Sequence, residues 1–302
     1  MNIADWHARS TEAFAELVAR VRDDQWALPT PCTEWDVRAL VNHVVGEDLW
    51  TVPLMHEHRI ADVGAKFDGD VLGADPKETS ARAAGQAVAA VSEPGALDRT
   101  AHLSFGDFPA TEYACQLFAD HLIHGWDLAV AIGADPHLDP HLVGECTRWF
   151  AGQEEAYRQA GAVGPAVAVP EGAGDQERLL AAAGRDPRWS PAVGAVQRYL
   201  TAFDRRDVAA TMATLTEDVV WENTAPPDGV RHEGAAAVRA ATEEFLRDNP
   251  NAAFELEELV GLGAERAVAR WRYSWPDGHV RGVDLCRTRA GKVAEVLTYV
   301  KG

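Results

Sequence analysis

Apolar residues in the first half of the chain recur at three- and four-residue steps, a pattern that predicts amphipathic helices. The first helix is expected from Ile3 to about Trp26, with Phe14 and Val18 on its buried stripe. A second is expected from an N-cap at Thr33 to about Val52. Further helices are predicted at residues 78–91, 110–132, 140–157 and 176–183, with loops at 61–76 and 94–109. This half therefore predicts an all-α helical bundle.

The pattern changes at residues 184–191, which are rich in Gly, Pro and charge. Helices are predicted at residues 192–205, 208–215 and 234–247. Strands are predicted at 219–222, 254–262, 267–275, 280–288 and 293–300, with a hairpin turn at 276–278. Helices followed by an antiparallel meander indicate an α+β domain. We expect two domains, residues 1–185 and 186–302.

Composition narrows the function classes. The chain is 47% hydrophobic and 25% charged, as globular proteins are. Its formal net charge of -19 argues against nucleic acid or an anionic membrane as a partner. Four widely spaced Cys, no signal-peptide pattern and no apolar run of about 18 residues favour a protein of the reducing cytoplasm.

Ionisable residues share faces with apolar ones on two predicted helices. Asp120 and His124 lie one turn apart, in line with Leu117 and Leu128. Such a pair can hold a metal ion or form a hydrogen-bonded Asp–His pair. On the second helix, His43 lies beside apolar neighbours. Taken by itself, it could equally be a core histidine whose ring nitrogens are hydrogen-bonded within the protein.

His43, Asp120 and His124 together could supply three ligands inside a bundle. Three protein ligands leave a coordination position open for water, substrate or a thiolate. The donor set suits zinc, and also iron, nickel or manganese. Glu47 lies one turn after His43, and as a fourth ligand it would close that position. We therefore favour Glu47 as an acceptor that orients His43 or as a catalytic base, with a surface charge as the third option.

The first half resembles the mycothiol-dependent maleylpyruvate isomerase family of DinB-like metal-binding bundles. The resemblance lies in TPCTEWDV at residues 30–37, followed by Leu40 and His43, and in residues 120–124 and 126–129. It covers about residues 1–160 and implies a divalent metal, usually zinc, held at His43, Asp120 and His124. Many members have Glu at the position of Asp120. Members that are enzymes use the metal to activate a low-molecular-weight thiol, which suggests mycothiol as co-substrate.

The second half resembles the SnoaL-like polyketide cyclases of the nuclear-transport-factor-2-like fold. The resemblance lies in EDVVW at residues 217–221, in Gly234, and in GVD at 282–284 before GKV at 291–293. It implies a curved sheet around a cone-shaped apolar pocket. Four aromatic residues are the expected lining, with core packing as the alternative for each: Trp221, Trp271, Tyr273 and Tyr299.

Asp284 is the candidate catalytic residue of that pocket. It stands on an apolar strand, where burial would raise its pKa and suit it to general acid or base catalysis. The alternative is a structural ion pair with Arg270 or His232.

Three functions compete on this sequence. The first is a metal-dependent enzyme that activates a thiol for isomerisation or S-transfer on a small organic substrate. The second is a SnoaL-like cyclase, isomerase or hydrolase whose helical half is a structural metal domain. The third is a non-catalytic protein that binds a metal or a small molecule. The sequence does not determine the oligomeric state, and a homodimer is one possibility.

Overall fold

The computed structural model of the chain describes residues 2–224 and 229–301. It divides into two compact units, one of Met1–Trp26 with Glu34–Pro187 and one of Ala27–Thr33 with Arg188–Gly302. Within the described ranges, no helix is both long enough and apolar enough to cross a bilayer. The predicted order, a helical region followed by an α+β curved-sheet domain, is confirmed.

The first unit consists of eight helices and one short hairpin within the described residues. The helices are α1 Ile3–Arg20, α2 Val37–Met55, α3 Ile60–Val63, α4 Pro76–Ser92, α5 Ala110–Ile132, α6 Pro140–Phe150, α7 Glu154–Gln159 and α8 Asp175–Ala182. The hairpin pairs β1 Thr100–Leu103 with β2 Gly106–Pro109. The helical bundle contains this hairpin within residues 94–109, where a loop was expected.

Helices α1, α2, α4 and α5 form the bundle, in which α1 and α2 each pack against both α4 and α5. Helix α1 begins at Asn2, whose side chain accepts from the Asp5 amide while the Asp5 carboxylate accepts from the Asn2 amide. This reciprocal capping satisfies two amides that the first turn leaves without helical partners. Phe14 and Val18 then face the core, as the periodicity predicts.

Helix α2 corrects two expectations. Its N-cap is Asp36 rather than Thr33, since the Asp36 carboxylate accepts from the Ala39 amide at 2.8 Å. The helix also continues through Pro53 to Met55. A proline this close to a helix end removes only one hydrogen bond, while the extra turn buries Leu54 and Met55 in the core.

The second unit is a curved sheet with three helices. The helices are α9 Pro191–Asp204, α10 Val208–Ala213 and α11 Ala235–Asp248. The strands are β3 Leu215–Asn223, β4 Val230–Glu233, β5 Ala253–Gly261, β6 Arg266–Trp275, β7 Gly278–Arg289 and β8 Lys292–Lys301. Strand order is β4-β3-β8-β7-β6-β5, with a register shift in β5, β7 and β3.

The antiparallel meander from β5 to β8 is confirmed, but two features of the sheet were not expected. Strand β4 adds an edge beside β3, and β3 pairs with β8 in parallel. Side chains on one sheet face pack with α9 and α11 around a core that includes Val196, Val219 and Val296. That face also carries the cavity described below.

The segment Ala27–Thr33 belongs to the second unit although it precedes α2 in sequence. A side chain at Gly194 would place its Cβ 2.9 Å from Pro29, and one at Gly291 would come within 3.0 Å of Leu28. These two glycines therefore leave the room that the segment occupies. The division between residues 185 and 186 stays a prediction.

Expressing the two parts separately tests that division. Residues 1–185 should give a mostly helical far-UV spectrum. Residues 186–302 should melt at a lower temperature than the matching transition of the full chain, because they lack Leu28 and Pro29. Scanning calorimetry on both pieces and on the parent measures this. An aggregated N-terminal piece, or a C-terminal piece as stable as in the parent, would contradict the expectation.

Candidate functional site

Two neighbouring helices of the first unit supply the candidate metal ligands. Helix α2 carries His43 and Glu47 one turn apart, and α5 carries Asp120 and His124 one turn apart. Residues four apart on a helix lie one above the other, and α2 packs against α5. The two pairs of side chains therefore meet between the helices.

One potential ligand atom from each of His43, Asp120 and His124 lies within 4.8 Å of the others. His124 Nε2 is 3.3 Å from Asp120 Oδ1, and His43 Nε2 is 3.5 Å from Asp120 Oδ2. Asp120 Oδ2 is buried and makes no hydrogen bond among the described residues. Burial raises the pKa of Asp120, but the two histidines outweigh burial and hold that pKa well below its usual range.

A second carboxylate fixes the orientation of His124. The Nδ1–H of His124 donates to Asp127 Oδ2 at 2.9 Å. Asp127 is fully buried, and Arg185 Nη2 donates to the same oxygen at 3.0 Å. Because Asp127 engages Nδ1, the other ring nitrogen, Nε2, is the one that faces Asp120 and would bind a metal ion. In the sequence, Asp127 stands within residues 126–129 of the family resemblance, and its i, i+3 spacing from His124 is a signal for this contact.

The indole of Trp35 covers the two imidazoles. Its ring centroid lies 4.7 Å from that of His43 and 5.7 Å from that of His124. The His43 and His124 rings are themselves 5.2 Å apart in an edge-on arrangement. This packing restricts the rotamers of both histidines, so their Nε2 atoms are held in place before any ligand binds.

Glu47 faces a cavity of about 200 Å³ that opens beside these ligands. Its other walls include Tyr113, Gln116, Trp149 and Tyr157. Burial and the nearby Asp120 raise the pKa of Glu47. The buried Tyr113 hydroxyl makes no hydrogen bond among the described residues, and burial raises the pKa of Tyr113, which keeps it a donor. Tyr113 carried no sequence signal for a role at this site, and Trp35 carried one only as part of the stretch at residues 30–37.

These residues fit a divalent metal ion. Two imidazole nitrogens and one carboxylate oxygen form a donor set that zinc accepts, with one position left for a further ligand. The contact between His124 Nδ1 and Asp127 leaves Nε2 for ligation, and Asp120 Oδ2 makes no hydrogen bond within the described part of the chain. The role of His43, Asp120 and His124 as ligands stays a prediction that this geometry supports.

A neighbouring pair on the same two helices is structural. His121 is buried, its Nδ1 donates to Leu117 O at 2.7 Å, and its Nε2 lies 3.0 Å from Asp48 Oδ1. Burial lowers the pKa of His121, but Asp48 outweighs burial and raises it. This arrangement leaves neither ring nitrogen free for a metal.

The second unit holds a cavity of about 300 Å³ on the face of the sheet that packs with α9 and α11. Three of the four expected aromatic residues line it: Trp221, Trp271 and Tyr273. Tyr299 does not line it and is 48% exposed. The cavity is lined instead by its neighbours Thr298 and Val300, because successive strand residues point to opposite faces. Sequence reasoning missed five further aromatic wall residues: Tyr199, Phe203, Phe245, Phe254 and Trp275.

Asp284 lies in this cavity wall and is 7% exposed. Burial raises the pKa of Asp284 to about 6. Trp271 and Thr298 beside it lower that pKa, but burial has the larger effect. The alternative for Asp284, an ion pair with Arg270 or His232, is absent among the described residues. Arg270 instead pairs with Glu257 and Glu258. His232 stacks on Trp221 at 5.5 Å.

Comparison with known proteins gives a match for each unit. Residues 7–129 match the family model of the mycothiol maleylpyruvate isomerase N-terminal domain, and residues 196–296 match that of the SnoaL-like domain. Two uncharacterized proteins of Mycobacterium tuberculosis, MT0763 of strain CDC 1551 / Oshkosh and Rv0738 of strain ATCC 25618 / H37Rv, are each 38% identical over 149 residues. The match spans 46% of this chain and 72% of each of theirs.

Solved structures similar to the chain include an NTF2-like protein of unknown function from Mesorhizobium loti. It is 38% identical with a TM-score of 0.33, covering 37% of this chain and 91% of that one. A protein of unknown function with a cystatin-like fold from Methylobium petroleophilum PM1 is 17% identical with a TM-score of 0.33. The match covers 38% of this chain and 80% of that one.

Removing the charge of Asp284 should stabilise the chain at high pH. The folded chain holds this proton more tightly than the unfolded chain, because the pKa rises from 3.8 to about 6. Stability therefore falls as pH rises from about 4 through about 6, by about 3 kcal/mol in all. Asp284→Asn should raise the free energy of unfolding by up to that amount at pH 8 and by much less at pH 4, as measured by calorimetry.

Asp277→Asn is the matched control, since it removes the same charge from the exposed turn between β6 and β7. It should leave the parent's pH dependence unchanged. If Asp284→Asn is no more stable than the parent at pH 8, burial of the ionised carboxylate does not destabilise the fold, and the prediction is wrong.

Proposed function

The chain belongs to the family of the mycothiol maleylpyruvate isomerase N-terminal domain and continues into a SnoaL-like domain, and from this premise we propose that it is a metal- and thiol-dependent enzyme. His43, Asp120 and His124 hold a divalent ion, zinc in the first place. The co-substrate is a low-molecular-weight thiol, mycothiol by family membership. The reaction is isomerisation or S-transfer on a small organic molecule. The convergence of three ligand atoms within 4.8 Å beside a cavity carries this proposal.

The metal would supply one effect, which is to lower the pKa of a thiol that coordinates it and so favour the nucleophilic thiolate. The protein residues supply the rest. Asp127, held by Arg185, keeps His124 in the tautomer that binds through Nε2. Trp35 keeps both imidazoles in place.

Glu47 has the position and the proton affinity of a base for the incoming thiol. Its carboxylate lies beside the candidate ligands, and burial together with Asp120 raises its pKa. A raised pKa brings a carboxylate closer to the pH at which it exchanges protons effectively. Glu47 therefore takes the thiol proton and stays outside the ligand set, so that the open position remains available.

The Tyr113 hydroxyl and the aromatic walls complete the site. The buried Tyr113 hydroxyl makes no hydrogen bond among the described residues, and we assign it as a donor to the polar end of a bound substrate. Trp149 and Tyr157 give that substrate apolar surface. A small organic molecule with one polar end and an apolar body fits these walls.

Metal binding tests the site directly. His43→Ala and His124→Ala should each lose most of the bound zinc, because two remaining ligands make a poor site. Glu47→Gln should keep the ion and weaken its binding by about 10- to 100-fold, because Glu47 lies beside the candidate ligands and its carboxylate is the acceptor that we expect to orient His43. Elemental analysis of the purified chain and chelator competition measure both effects.

His137→Ala is the control, since His137 is an exposed loop residue paired with Asp135. It should bind zinc as the parent does. A parent chain without metal after growth in zinc-replete medium, whose melting temperature zinc does not change, would rule out the site. Parent-like zinc affinity in Glu47→Gln would leave Glu47 without the proposed role.

A second function is favoured by Asp284. This buried carboxyl group has a pKa of about 6 in an aromatic cavity without an ion-pair partner among the described residues. A carboxylate of that kind can remove a proton from carbon beside a substrate carbonyl and return it to another atom. The unit would then act as an isomerase or cyclase, and the helical unit would be a structural metal domain.

Deuterium exchange separates the two functions. The probe 2-tetralone has exchangeable protons next to its carbonyl, and their loss in D₂O is followed by NMR. The chain should accelerate exchange, with a rate that rises through about pH 6 as Asp284 ionises and then levels off. Asp284→Asn should remove the acceleration, while His43→Ala should not. Acceleration that depends on metal and not on Asp284 would contradict this second function.

A further inference from the structure

Two buried polar atoms lie in the wall of the C-terminal cavity. Trp271 Nε1 and Asp284 Oδ1 are both buried, and neither makes a hydrogen bond among the described residues. Their side chains are 9% and 7% exposed. Folded chains leave few buried polar atoms unsatisfied, because each one keeps its full cost of desolvation.

Three other polar side chains around the cavity make hydrogen bonds within the protein. Trp221 Nε1 donates to Thr298 Oγ1 at 3.1 Å. The Thr242 hydroxyl donates to Val238 O, and Asn249 Nδ2 donates to Phe245 O. Trp271 Nε1 and Asp284 Oδ1 differ from these three groups, since they offer a ligand one donor and one acceptor.

The sheet register places these two groups together. Trp271 on β6 lies opposite Gly282 on β7, and Asp284 is two residues further along β7, on the same face. Gly282 makes room for the indole: a Cβ there would lie 2.2 Å from Trp271 Cζ2. The indole therefore lies against the backbone of β7, with Asp284 as its diagonal neighbour across the strands.

The rest of the cavity constrains the ligand. Its walls are mainly aromatic, and among the described residues that line it there is no Lys, Arg or His. An anionic ligand would meet the Asp284 carboxylate without a compensating cation. A volume of about 300 Å³ is enough for a molecule of two or three rings.

We propose that Trp271 and Asp284 together bind one hydroxyl group of an uncharged, ring-bearing ligand of the phenol type. The hydroxyl oxygen accepts from the Trp271 Nε1–H, and the hydroxyl hydrogen is donated to Asp284 Oδ1. A hydroxyl satisfies both atoms at once, whereas a carbonyl has no hydrogen for the carboxylate and an ammonium cannot accept from the indole. This inference deepens the second function above, because it concerns the same cavity, but it requires binding alone.

Two matched probes and two variants test it on the full chain at pH 7.5. The probe 2-naphthol carries the hydroxyl, and 2-methylnaphthalene carries a methyl group of similar size in its place. Trp271→Phe and Asp284→Asn should each weaken 2-naphthol binding by about tenfold, the usual effect of losing one hydrogen bond. Binding of 2-methylnaphthalene should change by less than about twofold. Titration calorimetry measures all four combinations.

Trp275→Phe is the matched control. Trp275 lines the same cavity but is 41% exposed, so the change removes an indole from the same walls without touching the buried pair. It should leave the ratio of the two affinities as in the parent. A ratio that falls as far in Trp275→Phe as in Trp271→Phe would overturn the assignment of the hydroxyl to Trp271.

The unmodified chain gives a readout that needs no variant to fold. In ¹⁵N-labelled protein one of the ten indole N–H signals should move downfield with 2-naphthol and stay in place with 2-methylnaphthalene. If no indole signal moves in this way, the proposal is overturned. Phenyltrimethylammonium binding more tightly than 2-naphthol would also overturn it, since that would indicate a cation site. Binding of 2-naphthol without exchange of 2-tetralone upholds the inference and rejects the second function.

Discussion

A carboxylate can be buried in a helical core only when other groups compensate its charge, and three aspartates impose this constraint on the first unit. Asp120 lies between His43 and His124, and Asp127 pairs with His124 and Arg185. Asp48 pairs with His121. Two of these contacts, His43 with Asp120 and Asp48 with His121, join α2 to α5. The register of the two helices and the geometry of the candidate metal site therefore depend on the same ion pairs.

The same type of side chain behaves in opposite ways in the two units. Burial raises the pKa of Asp120 and of Asp284, but only Asp120 has positive or protonatable neighbours that reverse the effect. Asp120 stays ionised and suits a metal ion. Asp284 titrates near pH 6 and suits proton exchange or a ligand hydroxyl. Environment rather than residue type thus separates the chemistry of the two sites.

Much of the architecture could be predicted, because periodicity reflects burial directly. The 23-residue helix α5 begins and ends where the pattern and Gly133 predict, and the strands of the meander follow their alternation. Errors occur where local signals compete. Thr33 and Asp36 both suit an N-cap, and only the hydrogen bond to Ala39 distinguishes them. The strands of hairpin β1–β2 have only four residues each, too few for a clear alternation. Tyr299 was placed in the cavity wall, but its neighbour Thr298 lies there instead.

The sequence by itself determined the two-part fold, the family resemblance and the identity of the ionisable residues that share helix faces, since these follow from spacing along the chain. It could not determine which residues from distant segments meet. Arg185 reaches Asp127 across 58 positions, and Trp35 covers histidines from two helices. The assignment of Ala27–Thr33 to the second unit is equally invisible in the sequence. Tertiary structure alone decided that Trp271 Nε1 and Asp284 Oδ1 make no hydrogen bond to any described residue, because an unsatisfied hydrogen bond is a property of the whole surrounding packing and of no single segment.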